Sequence, residues 1–305
     1  MAAPPERPER VRDFVAGLCC LFAGLMIGCG RPVRPVSALA PRIISLAPSV
    51  TETLFALGAG GEVVGVSQYC SYPPAALKLP RIGTFLTPDI EEIVALRPTL
   101  VIGLSSSSDI REVRALKAMG IALLMVDENS VEAITNSILE IGNRIGRRRN
   151  ARDLVARIQA GIDIVEQRLA GLRRLRVLML VGHQPLVAVG PGTYLNQLLG
   201  LAHADNIAAN SGQAWPRLSL EYIIASRPEV ILDGQMGSDP HAPEAFWSRY
   251  SAIPAVRDGR VYGYPDDPTL HPGPRITQTL QLLARLIHPK AFAPGRLSAE
   301  ALCHD

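Results

Sequence analysis

The chain has 305 residues, enough for two domains of ordinary size, and 48% of them are hydrophobic against 19% charged, so a substantial core can form. Its formal net charge of +3 is modest and argues against a nucleic-acid-binding protein, which concentrates much more basic charge. Its five cysteines show no Cys-x-x-Cys or Cys/His spacing, which excludes a zinc module.

Taken in chain order, Arg7, Arg10 and Arg12 precede an uncharged apolar run, Phe14 to Cys29. The run is short for a membrane span and suits a signal-peptide core. Glu6, Glu9 and Asp13 offset the three arginines, a departure from the usual pattern. Leu25-Met26-Ile27-Gly28-Cys29 resembles a bacterial lipobox, which makes residues 1–28 the leader and Cys29 the lipidated residue. Cleavage after Ala38-Leu39-Ala40 and an uncleaved anchor are the alternatives. Residues 29–41, with Pro32, Pro35 and Pro41, read as an extended tether. Only Cys70 and Cys303 remain in the body, and the sequence leaves their pairing open.

Arg42 to Leu46 predicts a strand and is followed by a helix to Leu57, with Ser49 or Thr51 as its cap and Glu52 in its first turn. Gly58, Gly60 and Gly61 follow that helix and precede the strand Val63 to Val66, the wrong order for a dinucleotide phosphate loop. Loops at 67–74, 81–88 and 105–108 adjoin strands at the edge where open α/β sheets place ligands. Helix 111–119, strand 121–126 and helix 131–145 complete an alternating unit. Segment 143–175 is arginine-rich, and Leu154, Ile158, Ile162, Val165 and Leu169 recur at helical spacing, predicting one long helix with a solvated basic face. A second unit follows, with strands at 176–181, 185–189 and 260–264 and helices at 193–199, 243–249 and 275–287.

Two stretches repeat at an offset of 130 residues, Ile90 to Ile102 and Leu220 to Leu232. Glu91/Glu221, Ile93/Ile223, Ala95/Ala225, Arg97/Arg227 and Pro98/Pro228 are identical. Each reads as a short amphipathic helix, a stop before proline and a buried strand. The separation suggests two similar lobes rather than a solenoid.

These segments, together with Ile43 to Glu52, Val64 to Tyr69, Tyr72-Pro73-Pro74, Trp215-Pro216 and Pro272 to Arg275, resemble the substrate-binding proteins of ABC importers. The resemblance is to the class that serves vitamin B12, iron-siderophore and haem uptake, and it covers 41–289. It implies an α/β fold of two Rossmann-like lobes joined by one long α-helix: 42–145, the linking helix 146–175 and 176–290, with 291–305 as a peripheral tail. It implies a monomer outside the cytoplasmic membrane that hands a metal chelate to an ABC permease dimer with its ATPase. By the same resemblance Glu91 and Glu221 dock on the permease; a pair of solvated helix residues is the plainer alternative.

The resemblance also proposes the ligand contacts. In the vitamin B12-binding branch of the class, aromatic residues line the cleft, and the matching positions are Tyr69, Phe85 and Trp215. Flat aromatic faces suit a macrocycle because they bury large area at little entropic cost. An acid and an arginine of that branch fall at Asp267 and His271, so the arginine is replaced. A corrinoid is the first expectation, with a ferric siderophore or haem as the alternative. Tyr69 and Trp215 as core residues, and His271 as a solvated loop residue, are the plain readings. No acid–base pair, nucleophile elbow or phosphate loop is identifiable. An enzyme using Ser105 to Ser108 or His183, and a storage or signalling protein, are the rival classes.

Overall fold

The computed structural model describes residues 41–183, 185–234 and 242–293. The expected leader, Cys29 and nearly all of the tether lie outside them, as do Cys303 and the tail from 294. Among the described residues no helix is long and apolar enough to cross a membrane.

The first lobe runs β1 (Ile43–Ser45), α1 (Pro48–Ala56), β2 (Val63–Val66), α2 (Ile90–Ala95), β3 (Leu100–Leu104), α3 (Arg111–Ala118), β4 (Leu123–Val126) and α4 (Val131–Arg144). Its four strands are parallel in the order β2-β1-β3-β4, with Ile43 opposite Leu100 and Val101 opposite Leu123. Helix α5 (Arg148–Leu169) leads into the second lobe. That lobe comprises β5 (Leu175–His183), β6 (Leu186–Ala188), α6 (Tyr194–Leu201), β7 (Ala204–Asn206), α7 (Leu220–Ser226), β8 (Val230–Asp233), α8 (Ala242–Trp247), α9 (Pro254–Arg257), β9 (Val261–Gly263), α10 (Asp266–Thr269, broken at Asp267) and α11 (Ile276–Ile287). Strand β5 is central here: β7 and β8 pair with it in parallel, β6 folds back on it antiparallel, and β9 extends the sheet beyond β8. The sequence signals for this lobe omit β7, whose Ala-Asp-Asn carries no β-branched residue.

The repeat occupies the same place in both lobes. Helix α2 enters β3 beside β1, and α7 enters β8 beside β5. Side chains cap both helices: Asp89 accepts the Glu92 N–H at 3.1 Å, and Ser219 accepts that of Tyr222 at 3.2 Å. The stop before proline is a left-handed residue rather than an extended one, with Arg97 at φ 46° and Arg227 at φ 48°. An arginine at the start of each lobe's first strand then reaches the freed carbonyls. Arg42 donates twice to Leu96 O, at 2.9 and 2.8 Å, and Arg176 donates to Arg227 O at 3.0 Å. A guanidinium at a helix C-terminus also complements the helix dipole.

Two local expectations change. Neither Ser49 nor Thr51 caps α1. Ala47 is its N-cap without a side-chain bond, because Pro48 supplies a preset φ in the first turn. The Thr51 hydroxyl instead donates back to Ser45 Oγ at 2.8 Å, and Glu52 falls beyond the first turn, buried. The long helix expected over 143–175 is also interrupted. Gly146, at φ 74°, separates α4 from α5, and Gly171, at φ 77°, follows the end of α5. Cys70 is buried beside Thr51 and Ser67.

Helix α5 buries a single stripe, Ala151, Leu154, Ile158, Ile162, Val165 and Leu169, and leaves its arginine face to solvent. That stripe belongs to one continuous apolar cluster. On one side the cluster holds Leu54 of α1 and Ile134, Ile138 and Ile141 of α4; on the other it holds Leu195 and Leu198 of α6 and Leu280 and Leu283 of α11. Each large aliphatic side chain so buried contributes about 2 kcal/mol, an upper figure because the unfolded chain is itself partly collapsed. Glycines set the closeness of these contacts. A Cβ on Gly142 of α4 would collide with Ala151, and one on Gly161 of α5 would lie 2.8 Å from Thr277 Cγ2 of α11.

Gly161→Ala is therefore expected to lower thermal stability by about 1–3 kcal/mol, several degrees in Tm for a chain of this size. The double variant with Thr277→Ser, which removes the clashing methyl, recovers most of the loss. Gly61→Ala, whose Cβ meets nothing within 4 Å, serves as the neutral control.

Candidate functional site

The strand ends of the two lobes face one another across a cavity of about 620 Å³. The first lobe supplies Leu104 and Ser105 at the end of β3 and Val126 to Asn129 at the end of β4. The second supplies Val181 and Gly182 of β5, Tyr194 of α6, and Trp215. Leu270 and Pro272 are shared with a neighbouring hollow of about 270 Å³, which adds Ala47, Ser49, Tyr69, Phe85 and His271. The two form one cleft with a common wall. Its volume falls in the range of small-molecule sites, and its lining is mainly apolar with a few polar groups.

Three loops present the aromatic residues, each fixed by hydrogen bonds to its backbone groups. Arg81 donates to Ser67 O at 3.0 Å and to Cys70 O at 2.9 Å, gripping the loop that carries Tyr69. Phe85 sits in a turn closed by Thr84, whose hydroxyl accepts the Leu86 and Thr87 N–H groups at 3.2 and 2.9 Å. The Trp215 loop is pinned along β6 by Ala188 N–H to Pro216 O at 2.9 Å and Gly190 N–H to Ala214 O at 2.8 Å. Gly190 has no room for a Cβ, since the backbone of that loop lies against it. Tyr69 is 52% exposed and Trp215 47%, so neither is a core residue, and Phe85 is partly covered.

Asp267 and His271 lie at one edge of the cleft. His271 lines the smaller hollow, while Asp267 lines neither. Asp267 instead belongs to a polar knot that ties the lobes together. Arg275, at the start of α11, forms a fork to Glu52 of α1, with Nε to Oε2 at 2.8 Å, and its Nη2 also contacts Glu52 Oε1 and Asp267 Oδ1. Ser71 donates to Asp267 Oδ2 at 2.9 Å, and the Tyr72 ring lies 4.1 Å from the Arg275 guanidinium. Arg275 thus bridges the lobes, and its main partner is 223 positions away. Burial raises the Glu52 pKa and outweighs the opposing pull of Arg275. On Arg275 burial works downward, but Glu52 and Asp267 overturn it and keep the guanidinium charged. Donor atoms of Glu52, Asp267 and His271 lie within 4.8 Å of one another, as in a cation site. The guanidinium already between the two carboxylates makes this an ion-pair network instead.

Sequence reasoning missed a further acid, Glu128. It follows β4, lines the large cavity and is 6% exposed, with both carboxyl oxygens shut off from solvent. Of the rival catalytic candidates, Ser105 and Ser106 line the cavity. His183 does not line it; its Nδ1 lies 3.1 Å from Asp233 Oδ2, and its ring stacks edge-on with Phe246. Glu91 and Glu221 lie on exposed positions of α2 and α7, away from the cavity lining. Hydrogen bonds to its own backbone and to Ser219 lower the Glu221 pKa and hold it ionised.

The sequence matches the family described as periplasmic binding protein over residues 43–268. A vitamin B12-binding protein of Salmonella paratyphi A is 31% identical over 217 residues, 71% of this chain and 81% of the relative. One from Pectobacterium carotovorum subsp. carotovorum is 27% identical over 289 residues, 94% of this chain and all of the relative. Among solved structures, the periplasmic haem-binding protein RhuT of Roseiflexus sp. RS-1 in its apo form superposes with a TM-score of 0.74 at 28% identity, covering 83% of this chain and 99% of that one.

The polar knot makes a pH-dependent prediction. Arg275→Met leaves the Glu52 carboxylate buried without its cation, which costs about 3–5 kcal/mol at pH 7. Below the pKa of the orphaned acid Glu52 takes up a proton and the penalty shrinks, so denaturant melts at pH 7 and pH 4.5 are expected to differ far more for the variant than for the parent. Adding Glu52→Gln recovers stability at pH 7.

Proposed function

As the chain belongs to the periplasmic binding protein family, we propose that its cleft captures a corrinoid such as vitamin B12 outside the cytoplasmic membrane and delivers it to an ABC importer. The observation that carries this reading is the pair of half-exposed aromatics, Tyr69 and Trp215, one from each lobe, with Phe85 at the rim of an apolar cavity. Large aromatic area left exposed in a folded domain marks a binding surface. Its arrangement on two facing walls suits a broad, flat macrocycle. The vitamin B12-binding names of the relatives support the corrinoid choice. Haem is the second reading, favoured by the haem-binding protein that superposes on this chain.

Glu91 and Glu221 are the proposed contacts on the permease dimer. Their helices stand in equivalent places in the two lobes, each with an exposed carboxylate one residue from its start. Lipidation at Cys29 is proposed as the anchor. The mature binding protein is taken to be a monomer.

A thermal-shift panel of cobalamin, cobinamide, haem and ferric siderophores tests the ligand. A bound ligand at about 100 times its Kd stabilises the native state by about 2.7 kcal/mol. Cobalamin or cobinamide is expected to give the largest shift, and silence across the panel would sink the binding role. Trp215→Ala is expected to weaken the binding at least tenfold. Charge reversal at both Glu91 and Glu221 is expected to abolish uptake in cells while leaving Kd unchanged; normal uptake removes the docking role, since such charges govern association and orientation.

A further inference from the structure

The large cavity has two unlike faces. Strands β3 and β4 pair in parallel with Leu104 opposite Val126, so the residues that follow them emerge side by side at the cleft. Ser105 and Ser106 after β3, and Asp127 and Asn129 after β4, are all exposed and line the first-lobe side. The second lobe supplies Val181, Val187, Tyr194 and Trp215 to the same cavity. A shelf of short polar side chains thus meets a mainly apolar wall. A local turn orients Asp127 on that shelf. Its Oδ1 accepts the Asn129 backbone N–H at 3.0 Å and the Asn129 side-chain amide at 2.7 Å. Both bonds fall on one oxygen, so the carboxylate is positioned without being used up; an ionised carboxylate has about four acceptor sites. Hydroxyls and amides donate as well as accept, whereas a carboxylate only accepts. Asp127 is therefore the member of the shelf that restricts what can be set against it.

We propose that Asp127 is a specificity-determining residue of the cleft, its second oxygen taking an N–H from a carboxamide on the ligand rim and rejecting a carboxylate there. This deepens the corrinoid reading and rests on it, because the rim of a corrinoid carries carboxamides whereas haem carries carboxylates. A primary amide supplies N–H donors to Asp127 and leaves its carbonyl for a donor from Ser105, Ser106 or Asn129. A ligand carboxylate brings only acceptors and a like charge, with no proton to share. Discrimination here comes as much from the group repelled as from the group attracted. The Trp215 side of the cavity takes the apolar face of the same ligand.

The probes are cobalamin, haem and the cobalamin monocarboxylates, in which one rim carboxamide is hydrolysed to the acid. The monocarboxylates change one group on an unchanged ring. Kd is measured for the parent chain, for Asp127→Asn and for Glu132→Gln, which removes an exposed carboxylate of α4 outside the large cavity. Asparagine at 127 keeps an acceptor for the local turn, and thermal melts check that both variants fold. The parent is expected to bind at least one monocarboxylate isomer about tenfold more weakly than cobalamin at low salt. Part of that loss is expected to return at about 0.5 M salt, where the repulsion is screened. This salt dependence is read on the unaltered protein. Asp127→Asn is expected to bind cobalamin about threefold more weakly, since a charge-assisted bond becomes a neutral one. It is also expected to bring the disfavoured isomer within about threefold of cobalamin and to raise haem affinity. Glu132→Gln is expected to keep the selectivity of the parent. Equal discrimination by the parent and Asp127→Asn, or the same shift with Glu132→Gln, overturns the role of Asp127 and leaves the corrinoid reading standing. Haem bound by the parent with no binding of cobalamin overturns the corrinoid reading itself, and the carboxamide pairing with it.

Discussion

The packing of one helix against both lobes is the constraint on which the rest of this molecule depends. Helix α5 offers a single apolar stripe, and that stripe is completed from both ends of the chain, by α1 and α4 before it and by α6 and α11 after it. A linker that is itself core cannot bend without opening the core. The cleft between the strand ends is therefore held by side-chain volume: by the missing side chains at Gly142 and Gly161, and by the methyl of Thr277. The Arg275 knot works at the other boundary of the cleft. Hydrophobic packing holds the back and a desolvated ion pair holds the edge, and the aromatic loops sit between them, each held by local hydrogen bonds to its backbone.

Sequence pattern carried much of this architecture, for identifiable reasons. The repeat was visible because Arg-Pro stops and alternating helix and strand periods survive in both copies. The aromatic positions were visible because they lie in loops directly before or after those elements, where a large ring needs an explanation. The unseen features share another cause. Arg42 and Arg176 look like ordinary charged strand neighbours, and only the fold shows them clamping equivalent helix ends 54 and 51 positions away. Glu52 reads as a helix-start acid until Arg275 arrives from 223 positions away. Glu128 reads as a solvated loop acid, since nothing within the Asp127-Glu128-Asn129 stretch reports burial by a second lobe. Local rules describe what a residue prefers; these residues are defined by what long-range packing brings against them.

The polar groups of the cleft divide by charge state. At the edge the Arg275 guanidinium is kept charged by the acids around it, while beside the large cavity burial raises the pKa of Glu128 and of Tyr194. A ligand entering this cleft meets apolar walls and aromatic faces, and the family to which the chain belongs is one of binding proteins rather than catalysts.

The two left-handed arginines have a consequence beyond ending their helices. Arginine in that region is strained by about 1–2 kcal/mol where glycine would not be, yet both copies hold φ within two degrees of each other, and at each helix end a guanidinium is donated to a backbone carbonyl, Leu96 O in one lobe and Arg227 O in the other. The residues between are freer: Glu92 faces Tyr222 in the alignment, and Leu96 faces Ser226. The direction in which each helix leaves its strand is thus duplicated, while the surface it shows is not. A partner gripping both helices meets matched bearings with unmatched faces, so the binding protein turned through half a revolution is a distinguishable cargo rather than an equivalent one.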